Sequence, residues 1–359
     1  MNKLVIEKEL LKHNVEKIKA FAGTTPVMGI VKCNGYGLGL VEYSKLILEY
    51  GIDLLGVSCY EEAIMLKDSG INCEVVLLTS YADEDVLKEV VKRDIIATVG
   101  STASAKALEN AGVALSKTPR ANIEIDTGMG RCGFSTENLD EILSVKDFLI
   151  DFCGCFSHFS FSFAKKRDYV DAQLEKFNKA VEYLNEKGFK TGVLHIANSS
   201  AFMKYKETHL DMVRVGSALL GRVEGASSFG LKKIGYLETK VIETNTLKKG
   251  SNTGYANTYK VKKDTKTAII PIGYADGFLT EKKRDTYRIF DTLRYIKDAL
   301  FPGKYYVKIN EKPARIIGRV GMFNIICDVT DLNVTAGDTV TAEINPILLD
   351  SSIKREYRK

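Results

Sequence analysis

Lys32 stands directly behind the apolar run Val27–Val31 and is followed by Cys33-Asn34-Gly35-Tyr36-Gly37-Leu38-Gly39. Desolvation at the end of an apolar strand opposes an ammonium charge and favours the neutral amine, the form that attacks a carbonyl to make a Schiff base. The plain alternative is a surface lysine at a strand terminus. The glycines behind it allow close approach of the backbone to a ligand. Arg131 lies in Ile125-Asp126-Thr127-Gly128-Met129-Gly130-Arg131-Cys132-Gly133-Phe134. Gly128, Gly130 and Gly133 have dinucleotide-fingerprint spacing, but they follow a mid-chain strand and not the first βαβ unit, so that reading is rejected. His158 and His195 end apolar runs, where a structural role competes with a functional one. Arg214, inside Asp211-Met212-Val213-Arg214-Val215-Gly216, requires an anionic or acceptor partner, and a core salt bridge is its plain alternative.

These residues fall at the ends of repeated elements. Apolar runs cover 27–31, 53–58, 74–79, 95–100, 121–126, 152–157, 192–196 and 211–216. Between them lie segments with apolar residues three and four apart, such as 40–51 and 83–94. Eight strands alternating with helices predict a (β/α)₈ barrel, with a doubly wound open sheet as competitor. In a barrel, chemistry belongs at the C-terminal strand ends, where Lys32, His158, His195 and Gly216 fall. After about residue 228 the pattern becomes alternating and β-branched, with Gly, Asn and Lys turns. The expected division is a barrel over 1–228 and a mostly β domain over 229–359, with a first strand at about 2–7 that is open to joining the β domain. Ile289, Leu293, Ile296 and Leu300 recur at helical spacing and predict a helix inserted at about 284–301.

The 359 residues are 45% hydrophobic and 27% charged, ordinary for a soluble globular protein. The formal charge of +5 forms no basic block, which argues against nucleic acid and leaves room for an anionic ligand. No apolar run reaches the length of a membrane span and the N-terminus has no apolar signal core. The seven cysteines form no zinc-spaced set with histidine, so no metal is expected. Free thiols and the absence of a leader predict a cytoplasmic protein.

The run from Val31 to Gly39 resembles the cofactor-lysine motif of the alanine racemase family, pyridoxal-phosphate enzymes of fold type III. Ile125–Phe134, His195-Ile196-Ala197-Asn198-Ser199-Ser200-Ala201, Gly254-Tyr255 with Thr258-Tyr259, Ile270–Phe278 and Gly318–Met322 resemble further family segments in the same order. The resemblance implies that Lys32 holds pyridoxal 5′-phosphate and acts as one proton-transfer base. Tyr36, Ser199, Gly216 and Ser217 meet the phosphate, and His158 packs on the ring. Arg131 reaches the phenolic side of the cofactor and the substrate. At the position of Glu124 many members carry a carbamylated lysine, and Glu124 offers a carboxylate to orient Arg131 without that modification. A strand salt bridge without a catalytic part is the alternative for Glu124. His195 orients Arg214, which donates to the pyridine nitrogen. A guanidinium stays protonated, so the nitrogen stays bare, the ring is a weak electron sink, and simple proton removal and return is favoured over transamination.

Racemisation needs an acid–base group on each face of the substrate α-carbon. By resemblance Tyr255 is the second, Tyr274 lines the substrate, and the Met322 N–H receives the substrate carboxylate. Tyr255 and Met322 then serve the other subunit of a head-to-tail homodimer. Two departures stand out: Phe323 replaces a usual aspartate, and Ser351 falls where a C-terminal tyrosine is usual. Alternative readings are a racemase acting on serine or on a larger or basic amino acid, a non-catalytic pyridoxal-phosphate protein, and a decarboxylase. The last lacks a Gly-Gly phosphate segment here, and Cys327 reads as a core strand residue. If helix 284–301 and Phe323 reshape the entrance, assays across amino acids will show alanine displaced as best substrate; an ordinary alanine preference rules this out.

Overall fold

The computed structural model describes residues 2–164, 166–283, 285–301 and 303–359. The chain forms two compact units, one of Lys8–Ile234 and one joining the residues ahead of Lys8 to Gly235–Lys359. β1 (Lys3–Glu7) belongs to the latter, the β unit.

In the barrel unit the parallel strands are β2 (Val27–Ile30), β3 (Leu54–Val57), β4 (Val75–Leu77), β5 (Ala97–Val99) and β6 (Arg120–Asp126). After the two-residue β7 (Phe134–Ser135) come β8 (Asp151–Phe156), β9 (Val193–His195) and β10 (Val213–Val215). They pair in the orders β10-β2-β3-β4 and β5-β6-β8-β9. Two seams join the arcs into a ring. Leu77 N–H donates to Ile96 O at 2.9 Å and Ile96 N–H to Val75 O at 3.0 Å. Asp211 N–H donates to Leu194 O at 3.1 Å, and the Asp211 carboxylate accepts from Leu194 N–H at 2.9 Å. All eight expected strands are present, and the architecture is the α/β barrel. Strands buried on both faces are continuous apolar runs because helices cover one side and barrel contents the other. Met28, Ile30, Val76, Ile96 and Met212 form one core cluster. Residues 229–234 pack with the barrel unit, where the Asn14 side chain bonds Lys232 O at 2.7 Å and Lys232 N–H at 2.8 Å.

The β unit adds β11 (Tyr236–Lys240), β12 (Glu243–Leu247), β13 (Asn252–Thr253), β14 (Tyr259–Lys260) and β15 (Thr265–Ile270). β16 (Tyr306–Ile309), β17 (Lys312–Ile317), β18 (Ile325–Asp328), β19 (Thr339–Glu343) and β20 (Lys354–Arg358) follow. Its nine-stranded sheet has the order β12-β15-β18-β17-β16-β19-β11-β1-β20, antiparallel except for the parallel pair β1–β20. Cys327 is buried within β18. A helix spans Arg288–Leu300 inside the segment expected to be helical; Arg284 lies outside the described residues.

The turn behind Lys32 is unusual. Cys33, Asn34 and Gly35 take φ of 55°, 55° and 62°, and Tyr36 takes 53°, so four residues wind left-handedly. Side-chain crowding opposes this for every residue but glycine. Backbone bonds such as Gly35 N–H to Val31 O at 2.8 Å and Gly37 N–H to Cys33 O at 2.9 Å close it. Two side chains brace it: Asn34 N–H donates to Glu62 Oε1 at 2.7 Å, and Leu40 N–H to Asn34 Oδ1 at 2.8 Å. A β-branched residue fits this conformation worst, so Cys33→Val is expected to lower stability by about 1–2 kcal/mol. A shift of the urea midpoint at constant m-value checks it.

Candidate active site

A cavity of about 430 Å³ opens among the C-terminal ends of the barrel strands, lined by Lys32, Tyr36, Arg131, His158, Ser199 and Arg214 among others. Gly216 and Ser217 also line it. Each arrives from a strand end. Lys32 follows β2, His158 follows β8, and Gly216 and Ser217 follow β10. Ser199 opens the helix Ser199–Lys204, whose N-cap Asn198 accepts from Ala201 N–H at 3.1 Å.

Arg214 is 3% exposed at the centre of β10. Its Nη1 donates to His195 Nδ1 at 2.7 Å and His195 O at 2.9 Å. Nη2 donates to Ser157 O at 2.6 Å and lies 3.2 Å from both His158 Nδ1 and Ile196 O. Every one of these acceptors is neutral. Nε is the remaining N–H, and it meets no acceptor among the described residues. Burial pulls the Arg214 pKa down to about 10, against the attraction of Glu124, and the group stays charged at neutral pH. The histidines must then offer lone pairs. Burial, with the Arg214 charge second, drives His195 well below the ordinary imidazole range. Burial, then Arg214, Arg131 and Lys32, pulls His158 down to about 3. With Nδ1 accepting, the proton of His195 resides on Nε2, a buried atom without a protein partner among the described residues. The Phe156 ring stacks on His195 at 5.0 Å and lies 5.2 Å from the Arg214 guanidinium carbon.

Behind Arg131, Glu124 is buried on β6, with Oε1 3.7 Å from Arg131 Nη2 and Oε2 unpartnered among the described residues. Burial raises its pKa, and Arg131 and Arg214 oppose that rise. Ser199 Oγ accepts from Gly216 N–H at 3.0 Å and from Ala218 N–H at 3.3 Å. A Cβ on Gly216 would collide with the Tyr36 hydroxyl. Burial pushes the Tyr36 phenol up to about 12, which leaves it a neutral donor. With two N–H groups donating to its oxygen, the Ser199 hydroxyl is left to donate its own hydrogen, and beside the Tyr36 hydroxyl it suits an anion. An amine, two hydroxyl donors, two guanidinium groups and a neutral imidazole suit a phosphorylated aromatic aldehyde. The donor set therefore fits pyridoxal phosphate.

Sequence reasoning missed the frame behind His158. Gln173, buried in the helix Asp168–Glu186, donates to Thr127 Oγ1 at 3.1 Å and His158 O at 3.2 Å. It accepts from Ser160 N–H and Oγ, both at 3.0 Å, and Thr127 meets Ser157 at 2.8 Å. Nothing local marks this glutamine, because its partners come from loops after two different strands. Asn198 was detectable as an Asn-Ser-Ser cap ahead of an apolar turn.

In the β unit Tyr255, Tyr274 and Met322 are 72%, 51% and 49% exposed. Their segments share one edge. Tyr274 N–H donates to Gly321 O and Ala275 N–H to Met322 O, both at 3.1 Å, while a Cβ on Gly254 would press on Arg319 N. The Met322 N–H meets no acceptor among the described residues. Phe323 is exposed on the same edge, and Ser351 lies in an exposed turn, its carbonyl accepting from Arg355 at 2.8 Å. Among the described residues no grouping of His, Cys, Asp and Glu is placed to hold a metal ion, and no helix is long and apolar enough to cross a membrane.

The depressed His158 imidazole has a consequence for stability. From the ordinary value of about 6.5 down to about 3, the unfolded chain holds a proton at this residue that the folded chain refuses. Its contribution is complete above that window and is lost as pH falls through it, at up to about 1.4 kcal/mol per pH unit. His158→Gln keeps an acceptor and removes the titration. The slope of unfolding free energy between about pH 6 and pH 4 should therefore be shallower by close to one proton than in the parent.

Residues 6–223 match the family described as "Alanine racemase, N-terminal domain", and residues 234–345 match "Alanine racemase, C-terminal domain". Alanine racemase 1 of Clostridium acetobutylicum is 32% identical over 345 residues, covering 93% of this chain and 84% of the relative. The alanine racemase of Methanococcus maripaludis is 31% identical, covering 94% and 87%. Among solved structures, the alanine racemase of Clostridium difficile 630 superposes with a TM-score of 0.86 at 24% identity, covering 99% and 95%. The enzyme from D-cycloserine-producing Streptomyces lavendulae gives 0.86 at 24%, covering 100% and 97%. Two domain matches in chain order and relatives similar over nearly the whole length agree with the barrel and its site: the chain belongs to the alanine racemase family.

Proposed function

We propose that this protein is an alanine racemase that interconverts L- and D-alanine by proton transfer at two residues, Lys32 and Tyr255. The reading rests on membership of a pyridoxal-phosphate-dependent family and, within this chain, on one observation. Arg214 lines the same cavity as Lys32, spends both Nη groups on neutral acceptors, stays charged at neutral pH, and has an Nε–H that meets no acceptor among the described residues.

Lys32 would hold the cofactor covalently. Tyr36, Ser199, Gly216 and Ser217 would hold its phosphate, and His158 its ring. Arg214 would donate to the ring nitrogen, and Arg131, oriented by Glu124, would reach the phenolic oxygen and the substrate. When bound, pyridoxal phosphate delocalises charge from the substrate α-carbon and so acidifies its hydrogen. Arg214 would share a hydrogen bond without transferring its proton to the ring nitrogen, which would keep that delocalisation modest. Lys32 Nζ removes or returns the proton on one face, and Tyr255 Oη does so on the other. Met322 N–H and Tyr274 receive the substrate carboxylate and line the entrance.

Tyr255 and Met322 serve a neighbouring copy in a head-to-tail homodimer, a reading supported by their high exposure on one edge of the β unit. The seven free cysteines agree with a reducing cytoplasm.

Two variants test the proposal. Lys32→Ala should lose the absorbance of bound pyridoxal phosphate. Tyr255→Phe should keep that absorbance and lower racemisation by about 10²–10⁴-fold, while still exchanging the α-hydrogen of one alanine enantiomer with solvent deuterium. Full racemisation by Tyr255→Phe defeats the two-base scheme, and turnover of serine or lysine well above alanine defeats the substrate assignment.

A further inference from the structure

The helix Arg288–Leu300 faces the wrong way for a finished surface. Ile289, Leu293, Ile296 and Leu300 form one stripe at helical spacing, and they are 76%, 56%, 50% and 68% exposed. Phe290 and Phe301 beside it are also exposed. The one buried side chain of the helix is an acid, Asp291, which accepts from Tyr287 N–H at 2.7 Å and pairs with Arg294 at 3.2 Å. Contiguous apolar patches of this kind mark interaction sites. The helix is connected to the edge that carries the candidate substrate residues: the chain enters it from Tyr274 and Leu279 and leaves it into β16, whose partner β17 runs on to Met322 and Phe323. Tyr255, Tyr274, Leu279, Met322 and Phe323 are all exposed there.

Charge indicates what covers the stripe. Segment 282–304 holds seven Lys and Arg against three Asp, a formal +4. The β unit as a whole has 23 Lys and Arg against 16 Asp and Glu, net +7, while the barrel unit has 28 against 30, net −2. At the barrel mouth the loops and helix starts after β3 and β4 carry Glu61, Asp83, Glu84 and Asp85, all exposed. Ser58, Leu78 and Thr79, which precede those acids in the same connections, line the cavity.

We infer that the stripe of Ile289, Leu293, Ile296 and Leu300 docks on the barrel of a second copy of this chain, beside its cavity mouth, with basic flanks against the acidic rim. The inference rests on the proposed sharing of Tyr255 between copies and extends it. The inserted helix becomes a clamp that keeps the lent tyrosine and the Met322 amide in place. The stripe is then buried in the working enzyme, and opposite charges at its border set which surface receives it.

The test uses the pyridoxal-phosphate-loaded protein. Leu293→Asp/Ile296→Asp changes solvent-exposed positions, so bound cofactor absorbance and far-UV circular dichroism should match the parent. Sedimentation should show the dimer dissociation constant raised at least about 100-fold, with racemisation lost at low protein concentration and regained at high. Glu84→Lys/Asp85→Lys on the rim should weaken the dimer in the same direction. An unchanged dimer in the stripe variant overturns the inference. So does flotation of the parent with phosphatidylglycerol vesicles that the stripe variant loses while its dimer is intact. The sharing of sites is checked separately by mixing Lys32→Ala with Tyr255→Phe, since only a shared site regains activity in the hybrid. Regained activity with an unaltered stripe-variant dimer sinks the clamp alone; a fully active monomeric parent sinks both.

Discussion

A guanidinium placed at the end of a barrel and surrounded by neutral acceptors governs this structure. Burying a charge costs several kcal/mol unless its hydrogens are met. Here they are met by lone pairs of two imidazoles and three carbonyls instead of by a carboxylate. The arrangement works only if His195 and His158 refuse protons, and the same positive charge helps to ensure that. It also requires β8, β9 and β10 to deliver Ser157, His195 and Arg214 to one level. The parallel register does this, with Phe156 opposite His195. Because no carboxylate among the described residues pairs with it directly, and Glu124 acts on it only through space, the charge of Arg214 stays available to whatever occupies the cavity.

Glu124 faces a different balance. It is buried almost as deeply, yet its carboxyl is pushed up by burial while Arg131 and Arg214 offset only part of that push. A 3.7 Å approach to Arg131, one oxygen free, is looser than a bidentate ion pair. Arg131 itself is half exposed, so the buried acid restrains an arm that still reaches solvent. An orienting role suits that geometry better than a stabilising one.

The barrel was legible because strands covered on both faces leave continuous apolar runs, and all eight such runs became strands. The residues that end those runs were legible as site candidates for the same reason: a cation or imidazole there breaks an otherwise apolar pattern. Three features were not readable. The left-handed turn includes Cys33 and Tyr36, residue types that carry no sign of positive φ, and draws on Glu62, a helix residue 28 positions from Asn34. Gln173 joins loops from two strands, so its role exists only after the barrel closes. The helix Arg288–Leu300 is plain in its periodicity, but an amphipathic pattern reports a stripe and is silent on which body receives it.

β1 pairs on one side with β11 and on the other, in parallel, with β20, so five residues near the start of the chain lie between strands roughly 230 and 350 positions later. Lys3 is tied to Glu238 at 3.1 Å and to Glu356 at 3.0 Å, which fixes that register from both flanks. During synthesis the barrel segment emerges before either partner of β1, so β1 waits with both edges bare until β11 appears and with one edge bare until β20 follows. A nascent chain of this topology carries an unpaired apolar strand ahead of a folded body for most of its translation. Its exposure to mispairing is therefore set by elongation time and not by the final stability of either unit.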